Sequence, residues 1–562
     1  MQSSLRDWIL SLEENNLLAR IDKEIDPRHI AAMVSQNYKK ATLVENIKGY
    51  DVPILANAVS NRSMLALALG TSEDALIQSL DEKMHRLIKP RIVESAPCQE
   101  VVKIGEDNVD LTEFPIYLQH EFDGGPYISA GVLVANDPVT HVPNLGIYRM
   151  MFRTKKETGI DLTAPHKLRR YYQTAINQQE NMKDTEKKSL EVACVIGLHG
   201  IDMLSSVATA PSDIDEYEVM GGFRGEPLEL VSCKTIDVLV PANAEIILEC
   251  EVPLSGWIAD EGPYGEFTGT YGGLKKNPTL EIKAITHRKS PILQSATHGG
   301  SHPGWTDFYL LIPIFESQIR NALRSANIDV RALRFHPGSS GLWLIASIKK
   351  WSEGDGKNAL MLMLSASNQN FPKYAVVVDD DIDIYDDDKV YWAMTMRAQP
   401  AEDAMIFNDL KCIPLDPSLP TEMPPITTSK MGFDATRPLN RPAFRFSMCL
   451  PPFLSELKLN DGTHDAPSAK TGTLTRAEMH LAAKRKTDAE KVNLEQIQER
   501  VRTVLARMVE LLNSDRAYFV DILKLFPSEE YRTVLLAWST LRSVYLANVK
   551  RDNTGRYYMT NS

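Results

Sequence analysis

Cysteine is sparse in this 562-residue chain: six, at Cys98, Cys194, Cys233, Cys250, Cys412 and Cys449, with no CxxC pair among them. That spacing argues against a zinc site or a disulfide framework and makes a reducing cytoplasm the default expectation. Long hydrophobic runs are also missing, since no stretch approaches the ~18 residues of a membrane span. The opening MQSSLRDWILSLEENN breaks its apolar residues with charge and lacks a cleavage site, so it reads as an amphipathic helix capped by Ser3 or Ser4, not a signal peptide. Positive charge is in deficit, with 62 Lys and Arg against 74 Asp and Glu and a formal net charge of -12. This balance argues against nucleic-acid and anionic-membrane partners. There is no GxSxG, Walker loop or GxGxxG, and GGFRGEP (221–227) does not have the spacing of a phosphate loop. DDDIDIYDDD (379–388) fails as an EF-hand, with Ile384 where glycine is required and Val390 where the bidentate glutamate belongs.

What the chain has is the makeup of a soluble globular protein, 43% apolar and 24% charged, long enough for two to four domains. Helical patterns (Leu5 to Leu18, Pro27 to Tyr38) alternate with short apolar strands such as VPILAN (52–57) over the first 110 residues. Strands then dominate to about residue 300: YISAGVLVAN (127–136), NLGIYRMMFR (144–153), KTIDVLV (234–240), AEIILECEV (244–252) and TLEIKAIT (279–286), interrupted by a helical HKLRRYYQTAINQQE (166–180). Such a series suggests a barrel or sandwich. Alternation returns between about 310 and 455, with FYLLIPIFESQIRNALRS (308–325) helical and GLWLIASIKK (341–350) and KYAVVVDDDIDIY (373–385) strand-like. NDGTHDAPSAKTGT (460–473) is a linker candidate. Beyond it Leu494, Ile497, Val501, Val504, Met508 and Leu511 form a helical apolar stripe, expected to pack on the body or on another subunit.

Three sets of residues could carry chemistry. In NLGIYRMMFR, strand alternation places Arg149 on the face of Leu145, Ile147 and Met151, where it either snorkels to water or waits for a carboxylate. DEGPYGEFTGTYGG (260–273) holds Glu261 and Glu266 around a Gly-Pro-Tyr-Gly turn, a solvated loop unless something else meets the two carboxylates. Asn144, His166 and Glu216 offer the mixed oxygen and nitrogen ligands that suit a manganese-type ion, though their spacing matches no compact metal motif.

Taken together the motifs resemble the UbiD family of decarboxylases dependent on prenylated flavin mononucleotide. The resemblance runs from about residue 5 to 440 and rests on LRDWILSLEENNLLARI, DGGPYIS (123–129), NLGIYR (144–149), DEYEVMGGFRGEP (215–227), EGPYGEFTG (261–269), VVVDDDIDI (376–384), PLDPS (414–418) and SKMGFDATRP (429–438). NLGIYR followed about 110 residues later by EGPYGEF is its most specific part.

The resemblance implies an α/β (α+β) chain with an N-terminal α/β domain (1–115), a split β-barrel for the flavin (116–310), an α/β oligomerisation domain (311–460) and a linker with a helical extension (461–562). It implies that Arg149 holds the substrate carboxylate, that Glu261 orients Arg149 and that Glu266 delivers the proton. Asn144, His166 and Glu216 would hold Mn2+ or a similar ion against the cofactor phosphate, with K+ a further candidate. Ser129, Ile147, Tyr148 and Lys411 would contact the cofactor, Lys411 at its phosphate. The expected partners are a small carboxylic acid and CO2, a flavin prenyltransferase as cofactor source, and copies of the chain in a homodimer or homohexamer.

Two segments depart from the pattern: Ala164 and Pro165 before His166, and THGGSHPGWTDF (297–308), a segment that the resemblance implies helps shape the substrate pocket. The expected reaction is reversible, non-oxidative decarboxylation of an aromatic or α,β-unsaturated acid, with Trp305, Phe308 and Phe267 either a hint of a flat substrate or plain core. The alternatives are an aromatic acyl-CoA decarboxylase or a carboxylase, and a non-catalytic flavin-binding protein. A glycosidase reading of the two glutamates leaves Arg149 unexplained.

Overall fold

The computed structural model describes residues 4–164, 166–180, 189–208, 210–211, 213–367, 370–419, 427–449, 451–452, 498–529, 531–545, 548–552 and 556–560. The chain divides into two compact units, Met1–Thr436 and Arg437–Ser562.

The first unit opens with the helix Leu5–Glu14, which buries Leu5, Trp8, Ile9 and Leu12 along one face. Ser4 caps it in a capping box with Asp7, satisfying amide groups that the helix start leaves free. A four-stranded sheet follows in the order Leu18–Ile21, Ala41–Val44, Ile54–Ala56, Leu293–Ser295. Its last strand returns from far along the sequence and pairs in parallel with Ile54–Ala56. This crossing ties the N-terminal region to the segment that enters the 297–308 loop.

The central region is a nine-stranded curled sheet. One ribbon supplies both ends of its strand order. Val132–Asn136 pairs with Pro143–Ile147 at one end, and Tyr127–Ile128 pairs with Met150–Thr154 at the other. Residues 129–131 and 148–149 are the bends between the two halves of that ribbon, so the sheet curls until its ends are continuous through them. YISAGVLVAN and NLGIYRMMFR are therefore each two short strands and not one, and Arg149 sits at a bend instead of alternating along a strand face. Close packing allows the bend: a Cβ on Gly131 would fall 2.7 Å from both Cys194 Sγ and Met150 Cε. Of KTIDVLV only Leu239 and Val240 join a sheet, in the strand Leu239–Pro241. The N–H groups of Lys234 and Thr235 instead donate to the buried Glu249 carboxylate.

A five-stranded mixed sheet, Asp329–Phe335, Trp343–Lys349, Tyr374–Asp379, Thr428–Ala435 and Ala404–Leu410 in spatial order, completes the unit. The acidic run after Asp379 is a turn leading to the helix Asp387–Arg397, capped by Asp386. Two large apolar clusters unite the central sheet with its flanking helices.

The second unit has its own core. A helix over 498–514 buries Val504, Met508 and Leu512 against Ile522, Phe526, Val534, Ala537 and Leu541. The stripe expected to need the body is therefore covered, in its described part, by the helices that follow it. Its inner line runs through Leu512, with Leu511 half-buried. Leu494, Ile497 and the 460–473 linker lie outside the described residues.

Candidate active site

Arg149 leaves the ribbon bend pointing at the turn that carries the two glutamates. Its Nε and Nη2 form a two-bond fork with Glu261, 3.0 Å to Oε1 and 2.9 Å to Oε2. Its Nη1 donates to Glu266 Oε1, and Nη2 also lies 3.0 Å from Asp161 Oδ2. The side chains of Arg149, Glu261 and Glu266 are 8%, 0% and 9% exposed, so this is not a solvated loop. The guanidinium lies 4.8 Å from the centre of the Tyr264 ring, a cation–π distance.

Burial works against the charge on Arg149, but the bonds from Glu261 and the fields of Glu266 and Asp161 outweigh it, so its pKa rises well above the ordinary value. Burial likewise opposes the charge on Asp161, and Arg149 and Lys275 more than offset that and lower its pKa. Tyr127 is pushed up by burial and by Glu261, so it keeps its proton and donates to Glu261 Oε1 at 3.1 Å. Two cations, Arg149 and Lys275, thus face three carboxylates in a largely buried space.

Glycines bring the turn close to its neighbours. Tyr264 pairs with Gly272 and Gly265 with Tyr271. A Cβ on Gly272 would fall 2.6 Å from Glu266 Oε1, so the carboxyl group lies directly over that glycine. The 297–308 loop presses on the turn from another side, since a Cβ on Gly299 would meet Glu266 O at 2.9 Å.

Ser129 is buried in a network: its Oγ accepts from Gln119 Nε2 at 2.7 Å and from the Ala296 N–H at 3.0 Å, and lies 3.2 Å from Ser295 Oγ. Ile147 ends its strand and the buried Tyr148 begins the bend, both just before Arg149.

Of the three metal candidates, Asn144 and Glu216 meet directly, Asn144 Nδ2 donating to Glu216 Oε2 at 2.8 Å. Lys167 Nζ donates to the other carboxylate oxygen at 2.7 Å. His166 is exposed, with its ring 6.3 Å from that of Tyr148, and no described contact joins it to Asn144 or Glu216. Among the described residues no group of three or more His, Cys, Asp and Glu side chains comes together as a metal site. Lys411 is exposed.

Asp161 and Lys167 carry no sequence signal, while Tyr127, Tyr264 and His298 lie within DGGPYIS, EGPYGEFTG and THGGSHPGWTDF without being marked individually by them. His298 packs edge-on to Tyr264 with its buried Nδ1 unpartnered, and burial together with Arg149 pushes its pKa down to about 4. The aromatic hint resolves in part. Phe267 and Phe308 stack at 4.1 Å and continue into Phe371 and Phe315, which is core packing. Trp305 instead lines a cavity of about 230 Å3, with Tyr38, His302, Gln119 and His120 among the other walls.

Family models match three consecutive stretches of the chain: the 3-octaprenyl-4-hydroxybenzoate carboxy-lyase N-terminal domain at residues 9–84, its Rift-related domain at 91–302 and its C-terminal domain at 309–435. The chain belongs to the UbiD family of carboxy-lyases. Anhydromevalonate phosphate decarboxylase of Methanothermobacter thermautotrophicus is 31% identical over 439 residues, 77% of this chain and 97% of the relative. The structure of the UbiD-class enzyme HmfF from Pelotomaculum thermopropionicum in complex with FMN superposes with a TM-score of 0.75 at 34% identity, covering 82% of this chain and all of that one. An evolved dimeric form of the same enzyme in complex with prenylated FMN gives 0.71 at 32% identity, again covering 82% of this chain and all of that one. Vanillic acid decarboxylase of Sedimentibacter hydroxybenzoicus gives 0.69 at 27% identity, covering 81% of this chain and 97% of that one. The mixed α/β architecture with its curled half-barrel is thus a UbiD architecture. Among the described residues no helix is long and apolar enough to cross a membrane.

Proposed function

We propose that this UbiD-family enzyme catalyses reversible, non-oxidative decarboxylation of an α,β-unsaturated or aromatic acid with prenylated FMN. The observation that carries the reading is the way Arg149 is held. Glu261 grips Nε and Nη2 in a fork and fixes the plane of the guanidinium, while among the described residues Nη1 is engaged by Glu266 alone.

A substrate carboxylate that binds Arg149 competes with Glu266 for Nη1. Displaced from the cation, the Glu266 carboxyl group is left facing the bound acid. It then stands as the acid that protonates the carbon from which CO2 has departed. Loss of CO2 leaves an electron pair on carbon, and the flavin supplies the sink for it. Tyr127 keeps Glu261 in place throughout.

The Ser129 network and the Ile147–Tyr148 bend are the chain's contacts for the flavin. Glu216 fits a metal and phosphate site in one respect: its buried carboxylate meets the Asn144 amide at 2.8 Å and already holds one cation, Lys167 Nζ, at 2.7 Å. Asn144, Glu216 and His166 would hold a divalent ion there, His166 coming in from its exposed position, with Lys411 reaching the phosphate.

The test is carbon dioxide release by the protein purified with prenylated FMN and manganese, across a panel of aryl and acrylic acids that includes vanillic acid and anhydromevalonate phosphate. Release from at least one acid is expected. Release from none, with cofactor bound, would favour the non-catalytic flavin-binding reading.

A further inference from the structure

The Asp123–Gly124 segment of DGGPYIS takes no part in the chemistry above, yet it meets the two-glutamate turn residue by residue. The Asp123 side chain is fully buried. Its Oδ1 accepts the Gly265 N–H at 2.8 Å, and its Oδ2 accepts the His120 N–H at 2.9 Å. His120 Nδ1 lies 3.1 Å from Oδ2, and because a carboxylate only accepts, that nitrogen is the donor. The Gly124 N–H donates to Pro263 O at 2.7 Å. A Cβ on Gly124 would fall 2.2 Å from Gly262 O, so only glycine lets the two backbones come this close.

The His120 ring lies against Gly265, where a Cβ would come within 2.3 Å of Nδ1, and stands edge-on to Tyr264 at 5.7 Å. Side chains alternate across this short ribbon. His120 backs the face of Gly265 and Tyr271, and the Glu266 carboxyl group lies over Gly272 on the other.

We propose that Asp123 is a positioning residue, which with His120 as a backing wall holds the Gly262–Gly265 turn in the register that aims Glu266 while Glu261 grips Arg149. The contacts stand on geometry alone, and the consequence for turnover rests on the functional reading above.

Hydrogen exchange of the full chain, read peptide by peptide in Asp123→Ala, Asp123→Asn and His120→Ala, tests this. In Asp123→Ala, peptides spanning 262–272 should exchange about tenfold faster or more, with those of the 329–335 strand unchanged. Asp123→Asn keeps an acceptor for Gly265 and should restore much of the protection. His120→Ala should accelerate the same peptides and carries the test should Asp123→Ala fail to fold. On a panel acid that the wild type turns over, Asp123→Ala should lose tenfold or more in kcat with KM within twofold, because the Arg149–Glu261 fork remains. Wild-type exchange at 262–272 in both alanine variants would overturn the proposal, as would acceleration spread evenly over the chain. A wild type that turns over no panel acid would instead sink the functional reading and leave the exchange result standing.

Discussion

Glutamine at position 266 separates placement from proton delivery. Gln fills the volume of Glu, so it still fits over Gly272, where there is no room to spare. Its amide oxygen can still accept from Arg149 Nη1, while the Glu261 fork and Asp161 hold the guanidinium as before. The change removes one of three carboxylates facing two cations, so the lost charge-assisted bond is partly offset by relief of excess negative charge. A net stability change of about 1 kcal/mol or less is expected. The substrate carboxylate no longer has to displace an anion from Nη1, so KM should stay level or fall. Turnover should drop about 10²–10⁴-fold, the usual contribution of a positioned general acid. This corresponds to about 2.7–5.4 kcal/mol on the barrier. Steady-state CO2 release, with a melting curve and the flavin absorbance as controls, reads all three quantities. Turnover of Glu266→Gln within threefold of wild type, about 0.65 kcal/mol, would refute the assignment and place the proton source elsewhere.

Glu216→Ala should purify with less metal and less flavin than wild type, measured by elemental analysis and absorbance; full occupancy of both would remove Glu216 from the ligand set. Gly272→Ala should fold but lose at least tenfold in turnover, because its methyl group occupies the space of the Glu266 carboxyl group. Asp307, whose carboxyl group accepts the N–H groups of Thr297 at 2.7 Å and Val59 at 2.9 Å, is pushed by burial up to about 7. Its folded pKa therefore lies above that of the unfolded chain, and its contribution is full below pH ~4 and lost as pH rises toward 7. Wild type should lose up to about 1.4 kcal/mol per pH unit relative to Asp307→Asn across that window, and parallel stability profiles from denaturant melts would contradict this. Leu541→Ala, in the core of the second unit, should cost that unit about 2–5 kcal/mol, detected as faster exchange over 498–545, with flavin binding unchanged.

The outline of the fold was legible because the periodicities are strong: the helix Leu5–Glu14, the strand Ile246–Val252 and the strand Trp343–Lys349 all fall within runs whose pattern indicates them. The bends at 129–131 and 148–149 were not, since a continuous apolar run looks the same whether the strand is straight or folded over. Arg149, Glu261 and Glu266 could be singled out because two local motifs in fixed order mark them. Asp161 could not, and Tyr127, although inside DGGPYIS, is not marked by it, because their roles come from contacts with residues up to 134 positions away. Trp305 and Phe308 are three residues apart, yet one lines a cavity and the other joins a stack of phenylalanines. Composition does not distinguish these fates. The tail stripe was visible, but its covering by later helices of the same unit depends on tertiary pairing.

Because the ribbon bend carries Arg149 between two hydrogen-bonded ladders, its backbone cannot shift without unzipping one of them. The cation is a fixed datum, and a new acid must be accommodated by segments outside this ribbon. The 297–308 loop and the helix Ile30–Gln36 both border the cavity of about 230 Å3, and neither carries the Arg–Glu pair. Libraries meant to change the accepted acid belong in those two segments, whereas randomising 144–151 would move the reference point from which every substrate is measured.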